Sequence, residues 1–379
     1  MRLGTPDFIG EKLREAREAR GLTGTTLADL LAVSRQAVSQ YEIGGQTPAP
    51  EIMDRLCSVL RLPRSFFLRK VNGSLGTLYF RSRASATKTE RVRQEQRQKW
   101  RHRIVAFIAR FIEFPTVRFP SFRIGDPLDL TPSEIERFAQ ATRRFLGVGD
   151  GPLSNVVLLL ENHGAILVRT SFEAGALDAF SEWSVEDGRP YIILNSDKQS
   201  AVRSRFDAAH ELAHMILHRH FQSPLNPRFF KQLEEQAHRF ASSFLAPAHT
   251  FTSSFPGRVL HDLIELKKTW GMSISAIVRR AFDLGIVNRF AYRRLMTEIG
   301  KRGWRRCEPL DSELPPEEPR LLRRSIDLLL SNRIGDLRLI AQLGAGSLAD
   351  VESILGLPDG HITDRTVARP TARAEKVSG

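Results

Sequence analysis

The side chains best equipped for chemistry lie close together in Ala209-His210-Glu211-Leu212-Ala213-His214, a His-Glu-x-x-His pattern. With ten histidines and 43 acidic residues in 379, chance produces this pattern only about 0.03 times. Phe206, Ala209, Ala213, Ile216 and Leu217 make the segment apolar, so the helix predicted over 201–218 is a buried one. Imidazoles and a carboxylate inside such a helix need partners, because unpaired polar burial is costly. The plain structural reading is two core histidines satisfied by backbone carbonyls. Spacing favours chemistry instead. His210 and His214 stand one turn apart on one face, where both rings reach a single cation. Glu211 falls on the adjacent edge, placed to take a proton from a water activated by that ion.

A third ligand must come from elsewhere. His218 is four residues further on, but along a continuous helix it lies about 12 Å from His210, too far to share an ion. No glycine stands between His214 and His218 to break the helix. Glu234, in Glu234-Glu235-Gln236-Ala237-His238 on the next predicted helix, is the better candidate, with Glu235 the alternative. His238, four residues beyond Glu234, is expected beneath a ligating histidine, orienting it from outside the ligand shell. Two imidazoles and a carboxylate suit Zn²⁺ best and would accept Mn²⁺. Tyr191 and His238 are the candidates for stabilising an oxyanion. The run Tyr191–Asn195, predicted as a strand, is expected to pair with an extended substrate.

Arg203-Ser204-Arg205-Phe206-Asp207-Ala208-Ala209 leading into the motif, then Glu234 through Ala241, Pro247 and the upstream run from Pro190 to Asn195 together resemble the ImmA/IrrE metallopeptidases. The resemblance covers roughly 130–300. It implies a thermolysin-like (gluzincin) site whose third ligand is Glu234. His238 stands where that family has Asn or Asp. The implied substrate class is a helix-turn-helix repressor. Phe80-Arg81-Ser82-Arg83 adds a likeness to regulators that carry both modules.

A second functional segment lies near the N-terminus. Ala32-Val33-Ser34-Arg35-Gln36-Ala37-Val38-Ser39-Gln40-Tyr41-Glu42 resembles the recognition helix of the phage-repressor/Cro (XRE) type, with Leu27-Ala28 and Gly44 in matching order across about 11–66. In such domains the first turn of the third helix faces base edges. That places Arg35, Gln36 and Gln40 at the groove, Arg suiting guanine and Gln adenine, with Ser34 and Ser39 on phosphates. Gly24 stands where a phosphate-contacting Gln is common.

The elements that must position these groups follow from apolar period and punctuation. Five short helices are predicted over 8–68, with Leu27, Leu31, Val38, Tyr41, Ile52, Leu56 and Leu60 facing inward. Thr25 or Thr26 starts the second and Ser34 caps the third. A basic stretch follows, with 12 Lys/Arg from Arg69 to Arg110 against Glu90 and Glu95. Thr89–Phe111 within it reads as a connecting helix whose second half packs on the next domain. Beyond Thr131 come two helices, short β-type runs at 165–170 and 191–195 flanking a less regular stretch, and four more helices to Leu284. Glu308–Pro319 reads as a linker or extended arm, two helices follow, and the tail from Pro358 is expected to be disordered. The fold class is multidomain: an all-α helix-turn-helix domain over 1–72, a basic connector over 73–125, an α+β metallopeptidase domain over 126–306 and a mostly helical region over 307–379.

Composition sets the outer limits. No apolar run approaches the roughly 20 residues that span a bilayer, and the N-terminal residues lack a signal-peptide core. Cys57 and Cys307 are 250 residues apart, which suits a reducing compartment, so cytoplasm is expected. Net charge is +13, and residues 1–125 hold 23 Lys/Arg against 11 Asp/Glu. Such asymmetry suits double-stranded DNA as partner. Two functions are compatible with these features. One is a DNA-tethered zinc endopeptidase acting on a protein. The other is a transcription factor whose metallopeptidase-like domain serves as a sensor or dimerisation module, with a homodimer as its form. A phosphatase or nuclease fits poorly, since only one carboxylate ligand is evident.

Overall fold

The computed structural model describes residues 4–69, 87–173, 177–197, 200–221, 227–256, 260–334 and 346–367. These fall into two compact units, 4–69 with 87–113, 322–334 and 346–367 in one, and 114–321 in the other. Phe80-Arg81-Ser82-Arg83 lies outside the described residues.

The first unit begins with α1 (Gly10–Ala19), α2 (Gly24–Leu31), α3 (Arg35–Glu42) and α4 (Pro50–Leu60). The fifth expected helix is a single 3-10 turn, Arg64–Phe67. The start of α2 is set by Thr23, whose hydroxyl accepts from the Thr26 N–H at 3.0 Å, two residues before the expected start. Ser34 caps α3 in the same way, accepting from Ala37 at 3.1 Å. Leu27, Leu31, Val38, Leu56 and Leu60 are buried, with Met53 rather than Ile52 turned into the core. Arg17 grips Glu42 through two nitrogens at 2.5 and 3.1 Å and so pins α1 to the end of α3. Gly10 permits that approach, because a Cβ there would collide with the Tyr41 carbonyl.

The basic connecting helix behaves differently from expectation. α5 (Lys88–Ile108) opens with a reciprocal cap between Thr87 and Glu90. Its second half packs within its own unit, against α1 and the 3-10 turn: Trp100 lies edge-on to Phe66 at 5.7 Å, and its indole N–H donates to Glu15 at 2.6 Å. Arg103 and Lys12 meet the same carboxylate at 2.5 and 3.0 Å. The other side of α5 carries a helix from the far end of the chain, Leu348–Leu355. There Arg97 donates to Ser353 at 2.7 Å, Arg101 to the Ile354 carbonyl at 3.0 Å, and Arg20 of α1 pairs with Asp350 at 2.5 Å. The C-terminal helices therefore belong to the same unit as the N-terminal ones. Residues 358–367, expected to be disordered, are ordered: Ile362 is fully buried, and Glu352 accepts from the N–H groups of Gly360, Ile362 and Thr363.

The second unit is α+β. It runs α6 (Pro132–Phe145), α7 (Val156–Asn162), β1 (Ile166–Thr170), β2 (Ala179–Trp183), β3 (Pro190–Asn195), α8 (Ala201–Leu217), α9 (Pro227–Leu245) and four further helices to Lys301. α6 has the Thr131–Glu134 cap and Pro132 in its first turn. The sheet order is β1-β3-β2, with β3 parallel to β1 and antiparallel to β2. β2 occupies the stretch expected to be irregular. Its presence puts β3 at the centre of the sheet, so the expected pairing of Tyr191–Asn195 with a substrate is ruled out, both edges of β3 being taken. The presumed linker is an arm fastened to this unit. Fully buried Lys267 holds Glu308 at 3.1 Å and Asp311 at 2.6 Å, and Glu317 pairs with Arg205 at 2.6 Å while accepting from the first N–H groups of α7.

Candidate metal centre and nucleic-acid face

α8 lies between the sheet and α9, and all its residues from Ala208 to Leu217 are buried. Its polar side chains therefore face groups supplied by its neighbours. His210 Nε2 and His214 Nε2 are 3.1 Å apart. Glu234, reaching over from α9, sets one carboxylate oxygen 3.3 Å from His210 Nε2 and the other 3.2 Å from His214 Nε2. Among the described residues these three form the one His/Cys/Asp/Glu group able to hold an ion. Ligand atoms about 2.0–2.1 Å from a tetrahedral zinc stand roughly 3.3–3.4 Å from one another, so the observed separations fit that ion. Burial alone would raise the Glu234 carboxyl, yet its hydrogen bonds with the two imidazoles hold it well below the ordinary range. Glu235 is exposed and is not part of the group.

Glu211 is buried beside this cluster. Burial pushes its carboxyl up to about 7, against the pull of His210 and of a hydrogen bond from Ser181. The Ser181 hydroxyl donates to Glu211 Oε2 at 2.6 Å. Sequence reasoning missed Ser181 because its strand, β2, had no clean alternation: four of its five residues are buried. A carboxyl poised near neutrality, with one oxygen anchored, has the character of a general base.

The remaining sequence candidates separate. His238 sets its ring 4.6 Å from that of His210 and 5.7 Å from Phe206. It lies beside His210, whose Nδ1 is buried without a hydrogen-bond partner among the described residues. His238 also borders a cavity of about 930 Å³ lined by Asp207, Gln232, Arg239, Arg279 and Asp283 among others. Tyr191 is turned elsewhere: its hydroxyl donates to Asp187 at 2.8 Å, and burial raises its pKa far above the usual phenol value. The oxyanion role expected of it has no geometric support. His218 stands behind His214, Nδ1 to Nδ1 at 2.9 Å, with its Nε2 2.9 Å from Gln236 Oε1.

In the first unit, α3 buries Val38, Tyr41 and Glu42 and leaves Ser34, Arg35, Gln36, Ser39 and Gln40 exposed. All five predicted DNA-facing residues thus share the open side of one helix. Neither α2 nor α3 has an acidic residue in its first turn, so the positive ends of both helix dipoles stay available to phosphate.

Known proteins bear on both units. Residues 9–65 match the family model of a helix-turn-helix domain, and 160–282 match a peptidase-family model described as the IrrE N-terminal-like domain. The chain joins these two domains. The second match brackets β1 through α9 and contains all three clustered residues with Glu211. Over 62 residues the chain is 32% identical to the SPbeta prophage-derived uncharacterized HTH-type transcriptional regulator YonR of Bacillus subtilis (strain 168), covering 16% of this chain. The chain spans 57% of that relative's length. Among the described residues no helix is long and apolar enough to cross a membrane.

Proposed function

We propose that this chain is a cytoplasmic, DNA-binding transcription regulator whose second domain is a zinc-dependent endopeptidase. The observation that carries the reading is the convergence of His210, His214 and Glu234 around one point with buried Glu211 beside it. Zinc held there by those three residues would act as a Lewis acid toward a peptide carbonyl and a water. Glu211 takes the proton from the attacking water on its unanchored oxygen and returns it to the departing amine, while Ser181 keeps the carboxylate from turning away. β2, the strand nearest Glu211, is an edge strand of the sheet, so an extended substrate would pair along it in place of β3. The substrate class implied by the ImmA/IrrE resemblance is a helix-turn-helix repressor. On the DNA side, Arg35, Gln36 and Gln40 read base edges and Ser34 and Ser39 contact phosphate, a reading supported by their exposure on α3 within the segment 9–65 that matches a helix-turn-helix domain.

The large polar cavity bordered by His238 favours a second reading, in which the domain senses a small ligand and does no hydrolysis. Glu211→Gln separates the two. It keeps the side chain's size and removes the base, so zinc content and DNA binding should persist while cleavage of candidate repressors from the genomic neighbourhood falls by about 10²–10⁴. Fragments would be read on gels with the zinc-loaded full-length protein, and regulation in cells. Normal regulation by a zinc-replete Glu211→Gln protein would overturn the enzyme reading.

A further inference from the structure

Behind His214 runs a line of polar contacts that ends on the backbone. Gln236 Nε2 donates to the Pro127 carbonyl at 2.6 Å, Gln236 Oε1 faces His218 Nε2 at 2.9 Å, and His218 Nδ1 faces His214 Nδ1 at 2.9 Å. Its members are buried: His218 is fully enclosed, and His214 and Gln236 are 4% and 5% exposed. A carbonyl only accepts, which fixes the direction of every later bond. Pro127 O demands the amide N–H₂ of Gln236, leaving Gln236 Oε1 as an acceptor. That oxygen requires a proton on His218 Nε2, so a neutral His218 presents a lone pair at Nδ1. Once a cation takes the place of the Nε2 proton that faces Glu234 at 3.2 Å, this lone pair requires the remaining proton of His214 on Nδ1.

We infer that His218 is a positioning residue which, through Gln236 and the Pro127 carbonyl, favours the tautomer of His214 that binds a metal through Nε2. This rests on the zinc reading above. The lock acts on one ligand only, since His210 Nδ1 has no partner among the described residues. It also gives α9 two tasks, because Glu234 supplies a ligand and Gln236, two residues on, orients another. Outer partners of this kind contribute about 10–100-fold to metal affinity.

Two substitutions in the full-length protein divide His218 into its halves. In His218→Asn the amide oxygen takes the place of Nδ1, keeping the acceptor for His214 and losing the reach to Gln236. In His218→Gln the amide takes the place of Nε2, keeping the contact with Gln236 and leaving His214 Nδ1 without its acceptor. Zinc affinity, measured by competition with a chromophoric chelator, should stay within about threefold of wild type for Asn and weaken by about 10–100-fold for Gln. Equal affinities, or the reverse order expected if His218 only ties α8 to α9, would overturn the inference. Histidine-selective ¹⁵N NMR of the zinc-loaded, unmutated protein gives a test independent of how the variants fold. It should show the proton of His214 on Nδ1 and that of His218 on Nε2, and either opposite tautomer refutes the lock. Absence of zinc binding in the wild type would instead overturn the metal reading, and the lock with it, before any variant is made.

Discussion

α8 and α3 each carry a cluster of candidate functional residues on a single helix, but by opposite means. On α8 the polar side chains point into the protein, where His210, Glu211 and His214 are 4–7% exposed. On α3 Arg35, Gln36 and Gln40 are exposed. A buried cluster is constrained by what surrounds it, so its geometry already resembles the geometry of its use. An exposed one is free until its partner arrives, so its worth lies in the partner's chemistry. Substitutions should therefore have large, switch-like effects on α8 and graded ones on α3.

The largest effect is expected from His214→Ala, which leaves two of the three proposed ligands. Elemental analysis should find about one zinc per wild-type chain and essentially none in the variant. Equal metal content in the two would break the contrast at its strong end.

Next is the cost of burying Glu211. Its folded pKa is raised to about 7, so as pH rises above about 4.5 the unfolded chain ionises first and stability is lost until pH passes about 7. Glu211→Gln removes that loss. The metal-free variant should be more stable than metal-free wild type by about 3 kcal/mol at pH 8, and nearly equal to it at pH 4.5. Denaturant unfolding at the two pH values checks this, and a gain that is the same at both would contradict it.

On α3, Arg35→Ala should cost about 1–3 kcal/mol at one base pair and relax preference there. A uniform loss across unrelated duplexes would make Arg35 a phosphate contact. The smallest effect is expected from Gly24→Gln. A Cβ at Gly24 meets nothing within 4 Å, so the backbone tolerates a side chain there, and the carboxamide is expected to add a phosphate contact. Affinity should rise by a few-fold at most, with a slightly steeper salt dependence. A weaker complex would show that this face does not approach the backbone.

How much could be read from the chain beforehand follows the same division. The spacing of His210 and His214 and the apolar residues around them made the helix and its shared face legible, because a buried helix with two imidazoles has few solutions. Glu234 needed a jump of 20 residues and the family resemblance. Ser181 was not legible: β2 is nearly all buried and includes Glu182, so neither alternation nor a continuous apolar run marked it as a strand. That one missing strand also misplaced the substrate edge onto β3. α5 was recognised as a helix, but its partner was not, since buried Arg97 and Arg101 make a core-facing surface look like a solvated one. Their partners lie on Leu348–Leu355, and no local pattern announces contacts across some 250 residues.

The ion pair between Arg20 and Asp350 spans 330 residues, and this bears on how the protein is made. At roughly 5–20 residues per second, about 15–65 s separate synthesis of its two halves on the ribosome. During that interval α1 and α5 can meet, but the outer side of α5, with Arg97 and Arg101, waits for the helix that covers it. The domain that begins first is thus the one finished last. A chain released early, by a premature stop or a nick before Leu348, would carry a complete recognition helix on an incompletely sealed support.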